Sequence, residues 1–144
     1  MGIRVCAVAL LMGATSACSV RQQPTLHVQS SCLLPEQTPQ KQIMLYFGLA
    51  RPDGGIVSNR QWQDFVAGSV TPRFPDGLTE IDAQGQWRDR ISNKIGREPS
   101  RILLLVTPAT PDLALRIQAV RTLYRTRFGQ QSVGAVSRDV CASF

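Results

Sequence analysis

The chain reads as an α+β domain in the order strand, helix, strand, strand, helix, strand. Three observations predict this. Compact apolar runs at 43–49 (IMLYFGL) and 102–106 (ILLLV) have the character of buried strands. Two segments, 58–70 and 110–128, carry apolar residues at helical spacing behind clear start signals. Two more, 78–83 and 132–144, alternate as strands with one polar face do. Right-handed crossovers put both helices on one side of a four-stranded antiparallel sheet, the ferredoxin-like βαββαβ arrangement. The other side of the sheet is left open, to be covered by a second copy packing sheet to sheet or to hold a ligand.

After the first strand, Arg51-Pro52-Asp53-Gly54-Gly55 forms a turn in which glycine permits positive φ. Ser58 is placed to cap the first helix, and Gln61 three residues later completes a capping box. Trp62, Phe65, Val66 and Val70 share one helical face, and Thr71-Pro72 ends the helix. Arg73 to Gly77 is a proline-stiffened connection, and Leu78 to Ala83 alternates as the second strand. Gln84-Gly85-Gln86-Trp87 reads as a tight turn carrying an aromatic, followed by a polar stretch to Pro99. Thr110-Pro111-Asp112 starts the second helix, with Thr110 as cap and proline in the first position. Leu113, Ile117, Val120, Tyr124 and Phe128 form its buried stripe, with Arg121 and Arg125 pointing away and Gly129 as the stop. In the last strand Val133, Ala135 and Val140 are the inward candidates.

The first residues have the character of an address. Arg4, the apolar run Val5 to Met12 and the small residues 13–17 form a signal peptide over 1–17. Thr15-Ser16-Ala17-Cys18 resembles the lipobox of bacterial lipoproteins, with Thr15 where an aliphatic residue is usual. Cys18 is then the lipidation site, and the alternative is ordinary secretory cleavage after Ala17. Several acyl chains would suffice for stable anchoring. Ser19 fits the pattern that permits transfer to the outer membrane. Residues 18–40, rich in Gln, Ser, Thr and Pro, read as a lipid-anchored flexible linker, and 41–144 as a single domain.

The four cysteines divide accordingly. Cys6 leaves with the signal peptide. Cys32 and Cys141 remain, and in an exported chain such a pair is first read as a disulfide. Two free thiols or a redox pair are the alternatives, although the C-x-x-C spacing is absent. The net charge of +6 is scattered, and all of the cations but Lys41 and Lys94 are arginine. No basic block with interleaved aromatics points to nucleic acid. The single histidine, His27, lies in the linker, so no serine–histidine arrangement or zinc site is expected.

Leu45-Tyr46-Phe47-Gly48, Trp62 with Phe65, Thr71 to Thr79 (TPRFPDGLT), Gly85-Gln86-Trp87, Glu98 with Ser100, and Phe128 to Val133 (FGQQSV) belong together. They resemble the bacterial family of domains of unknown function numbered 3574, small exported or lipid-anchored proteins. The resemblance covers about residues 43–144, and TPRFPDGLT is its most specific string. It implies the address and the domain boundaries and no mechanism. Gln131 stands where some relatives have an acid, and no role is assigned to it.

Four residues are the first candidates for a site. Arg73, held in a stiff segment, suits a carboxylate or phosphate clamp, or else an internal pair with Asp76 or Glu98. Trp87 is either a rim aromatic or a core cover. Tyr46 faces the open side of the sheet with Gln130 or Ser132, and the topology predicts that Tyr46, Trp87, Arg73 and Glu98 line one pocket. Asp76, Glu80, Asp82 and Glu98 show no spacing that would pair two carboxylates for catalysis, and solvated strand edges account for them. No metal or cofactor is expected, and the sequence assigns no catalytic residue, with Tyr46, Arg73 or Glu98 as the groups an enzyme would use. These features favour a lipid-anchored periplasmic binding or accessory module, with a homodimer or an envelope protein as partner. The alternative is a small metal-independent enzyme of the dimeric α+β barrel type, acting on an apolar or anionic molecule.

Overall fold

A computed structural model describes residues 32–144. The expected signal peptide, Cys18 and most of the expected linker lie outside the described residues. The elements run β1 (Thr38–Gly48), α1 (Asn59–Phe65) continued by a π-helical turn (Val66–Val70), β2 (Thr79–Arg88), β3 (Ile95–Thr107), α2 (Leu113–Phe128) and β4 (Gly134–Ala142). The sheet order is β2-β3-β1-β4, antiparallel throughout. This is the ferredoxin-like arrangement, and its two inner strands carry the two apolar runs.

Alternation along β1 decides what lies on each side. Ile43, Leu45 and Phe47 are buried beneath the helices, together with Leu103 and Leu105 of β3. The helices contribute Trp62, Phe65, Val66 and Val70 from the first and Val120, Tyr124 and Phe128 from the second. Phe47 meets the Trp62 and Tyr124 rings edge to face, with centroids 5.2 and 4.7 Å apart. The opposite face of the sheet carries Met44 and Tyr46, Ile102 and Leu104, Ile81, and Val136 in register with one another.

The capping box forms as expected, with the Ser58 and Gln61 side chains each bonded to the other's backbone N–H. The helix ends in a wider turn, in which Thr71 N–H reaches Val66 O, five residues back. Gly129 closes α2 at φ +67. Cys32 and Cys141 are joined in a disulfide, with Cα atoms 5.5 Å apart.

Several local expectations are corrected. Residues 84–87 are not a turn, because β2 runs straight through Gly85 and Trp87 and pairs with the start of β3. The polar stretch 88–99 instead holds a short hairpin loop and the first residues of β3. β1 begins at Thr38, inside the stretch read as linker, because residues 38–40 pair with β4. α2 begins at Leu113, with Asp112 as N-cap and no side-chain cap bond. Pro111 and Asp112 lie in the preceding turn. Arg121 does not point away, since its Nε donates to Val133 O. Ala135 lies opposite Leu45 yet is exposed, because β4 is an edge strand that the helices do not cover. Val140 lies opposite Gln40, on the open side.

Candidate ligand-binding site

One end of the open face is hollowed into a cavity of about 330 Å³, within the usual range for small-molecule sites. Three glycines make this possible. Gly48, Gly85 and Gly134 sit on β1, β2 and the start of β4, and all three line the hollow. A Cβ on Gly48 would stand 2.5–2.7 Å from the Glu98 carboxylate, one on Gly85 would stand 2.6 Å from Ser100 Oγ, and one on Gly134 would stand 3.2 Å from Tyr46. Each glycine leaves the space that a neighbouring side chain occupies. Gly85 serves here as a strand residue that admits a close approach, not as a turn.

The register aims Glu98 into this space. It pairs with Gly85 across the β2–β3 ladder, next to Pro99, whose carbonyl accepts from Leu49 N–H beyond the end of β1. Glu98 is only 8% exposed, so it is not a solvated strand-edge carboxylate. Its Oε2 accepts from Ala50 N–H at 2.7 Å. Among the described residues no donor is paired with Oε1, and no lysine or arginine lies within ion-pair distance of Glu98. Below the cavity floor the buried Tyr124 donates its hydroxyl to Gly48 O at 2.8 Å. Burial, reinforced by the negative charge of Glu98, raises the Tyr124 pKa well above the ordinary phenol value, so the ring stays protonated.

Five of the six sequence candidates meet here: Tyr46, Trp87, Glu98, Gln130 and Ser132 all line the cavity. Tyr46 and Trp87 are 38% and 36% exposed and form its aromatic rim. Gln130 has a structural bond as well, because its Nε2 donates to Ala50 O at 2.6 Å. Gln131 also reaches the cavity, and its Nε2 donates to Asp89 of the β2–β3 loop at 2.7 Å.

Arg73 is the exception. It does not line the cavity, and it makes neither of the ion pairs expected of it. Its guanidinium donates to Ser69 O at 2.7 Å, closing the end of the first helix, while its own carbonyl accepts from Arg116 at 2.8 Å. The connection that carries it follows the helix side, away from the open face. Glu80 and Asp82 also turn to the helix side, where both lie against Arg101. Glu80 additionally accepts from Trp62 Nε1 at 2.7 Å.

The reading from sequence missed Ser100 and the roles of Gly48 and Gly134. Ser100 was within reach, since it stands two residues from Glu98 and therefore on the same strand face. The glycines had no local signal, because their purpose lies in what the neighbouring strand brings opposite them. No side chain in the cavity lining carries a positive charge, so the lining does not suit an anion. Among the described residues no three His, Cys, Asp or Glu side chains are grouped as metal ligands require.

Fold and cavity together define a small ferredoxin-like α+β domain with an acidic, aromatic-rimmed pocket on its uncovered sheet face. Residues 42–144 match the family described as protein of unknown function (DUF3574), and the chain belongs to that family. No curated protein matches the chain. Among solved structures it is similar to a phage SAM lyase in complex with S-methyl-5'-thioadenosine, at 15% identity and a TM-score of 0.59, covering 73% of this chain and 90% of that one. The same lyase in its apo state gives 16% identity and a TM-score of 0.53, covering 76% and 88%. CutA from Synechococcus elongatus PCC7942 is more distant, at 10% identity and a TM-score of 0.48, covering 79% and 87%. At these identities the likeness is one of fold.

Proposed function

We propose that the chain is a small-molecule binding protein of the bacterial cell envelope, exported and held to a membrane through a lipid on Cys18. The observation that carries the binding half is Glu98, a buried carboxylate with one bonded oxygen and one oxygen without a partner, at the floor of a rimmed cavity. Tyr46 at the rim is the other titratable side chain of the lining, and no His, Cys, Lys or second carboxylate accompanies Glu98 there, which favours binding over catalysis. The address half is supported by the lipobox-like Thr15-Ser16-Ala17-Cys18 and by the Cys32–Cys141 disulfide, a bond suited to an oxidising compartment.

Two measurements test this reading. Native mass spectrometry of the full chain taken from its own cells should release a bound small molecule. Tyr46→Ala and Trp87→Ala, at exposed rim positions, should lose that molecule while unfolding at nearly the same temperature. A chain that carries nothing, or rim variants that retain the molecule, would overturn the binding reading. Peptide mass spectrometry should find a diacylglyceryl-modified Cys18 at the N-terminus, and an unmodified Cys18 or an intact Met1 would remove the anchor.

The rest of the open face supports a partner. Met44, Ile81, Leu104 and Val136 form an apolar band that a second copy would cover sheet to sheet. Light scattering should give a dimer that Val136→Arg reduces to a monomer. A wild-type monomer would refute it.

An enzymatic reading is favoured by one observation, that a protein of this fold is a SAM lyase. Glu98 would then be the group that moves a proton. Incubating the chain with SAM separates the two readings, since a binding protein leaves SAM unconsumed.

A further inference from the structure

We propose that the cavity selects a small organic cation with a flat apolar body, its charged nitrogen seated against Oε1 of Glu98 and its body between Trp87 and Tyr46. The inference rests on the binding reading above and adds the chemical class of the ligand. Glu98 is largely withdrawn from bulk water, and its unbonded Oε1 is not sealed in the interior but open to the cavity, where a ligand donor can reach it. Glu98 has the single N–H of Ala50 at 2.7 Å. A ligand ammonium would supply the missing donor and the missing countercharge together. The rim provides the second half of the recognition. Trp87 and Tyr46 line the same cavity as the acid, and aromatic faces attract cations and stack on flat apolar groups.

The sign of the site is opposite to that of the chain. Arginine dominates a net charge of +6, yet neither arginine nor lysine lines this hollow. The remaining lining side chains, Gln130, Gln131, Ser100 and Ser132 among them, are neutral and do not compete for the carboxylate. The volume of about 330 Å³ accommodates a body of one or two fused rings.

Three probes that share an indole ring and differ in charge provide the test: tryptamine, tryptophol and indole-3-acetate. Calorimetric titration of the full chain should show tryptamine binding at least tenfold more tightly than tryptophol, with indole-3-acetate not binding. Glu98→Gln keeps an acceptor for Ala50 N–H and should melt close to the wild type. In that variant the affinity for tryptamine should fall to that for tryptophol. Equal binding of tryptamine and tryptophol by the wild type, or an unchanged preference in Glu98→Gln, would overturn the cation assignment and leave the pocket reading standing. If none of the three binds, the cation assignment falls. The native mass spectrometry described above then decides the pocket reading separately, because it assumes nothing about charge.

Discussion

Glu98 and Gly48 form one unit, in which the carboxylate lies in the space that a side chain on Gly48 would fill. Gly48→Ala would place a methyl 2.5 Å from Oε1 and drive the carboxylate off Ala50 N–H. Ala50 is exposed, so water can take the carboxylate's place and the lost bond costs about 0.5–1.5 kcal/mol; urea unfolding should show a loss of that order together with an altered cavity. Glu98→Gln, which keeps the acceptor, should lose less. Tyr124 beneath them makes a second prediction. Its folded-state pKa is raised above the ordinary value, so the folded protein holds the proton more tightly than the unfolded chain. The stabilisation is present below the unfolded phenol value of 10.0 and is lost as pH rises beyond it. Thermal melts should therefore fall above pH 10 in the wild type, and Tyr124→Phe should remove that part of the decline while costing about 1 kcal/mol at neutral pH for the lost bond to Gly48 O.

At the scale of elements, the β2–β3 hairpin turns on Asp89. Its carboxylate accepts from the backbone N–H groups of Ser92 and Ile91, the Ser92 hydroxyl and Gln131 Nε2. The Ser92 bonds contribute most, and its pKa is lowered from 3.8 to about 2. A carboxyl held below its unfolded value stabilises the fold at neutral pH, and that contribution is lost as pH falls from 3.8 toward about 2. The melting temperature should decline over this interval, and Asp89→Asn should flatten that segment of the profile. Because Gln131 joins the loop to the cavity, the same acidification should weaken ligand retention. The helices show the converse case. The capping box at Ser58 is complete within four residues, so it was legible without any knowledge of the sheet. The cap expected at Thr110 was displaced, because Thr110 and Asp112 are engaged by Arg116 instead.

For the whole molecule, the disulfide closes a loop of 109 residues and ties the segment before β1 to the end of β4. A cross-link across so long a loop contributes up to about 4.7 kcal/mol in the chain-entropy account, and removal of a native bridge from a small domain commonly costs about 2–5 kcal/mol. Cys141→Ser should lower the denaturant midpoint accordingly, with the fraying concentrated where Thr38–Gln40 pair with Val140–Ala142. An unchanged midpoint would mean that this edge of the sheet holds without the bridge. The same sheet carries the apolar band beyond the cavity, so the two proposed occupants of the open face, ligand and second copy, use different parts of one surface.

The sequence by itself determined the order of the elements, which side chains of α1 with its π-helical turn and of α2 pack into the core, and the stop at Gly129. It also brought Tyr46, Trp87, Glu98, Gln130 and Ser132 forward as candidates. The elements and the core stripes follow from periodicity and capping within a few residues, and local chain geometry is enough to read them, whereas the site candidates came from the expected topology and the family resemblance. Tertiary structure alone decided that residues 84–87 continue a strand, that Arg73 serves the end of the first helix, and that Glu98 is buried over Gly48. Each depends on which residue a distant strand brings opposite, and a pairing register is a non-local quantity that composition does not carry. Gly85 shows the difference best. As a residue it suggests a turn, and its use as floor space appears only when β3 sets Glu98 beside it.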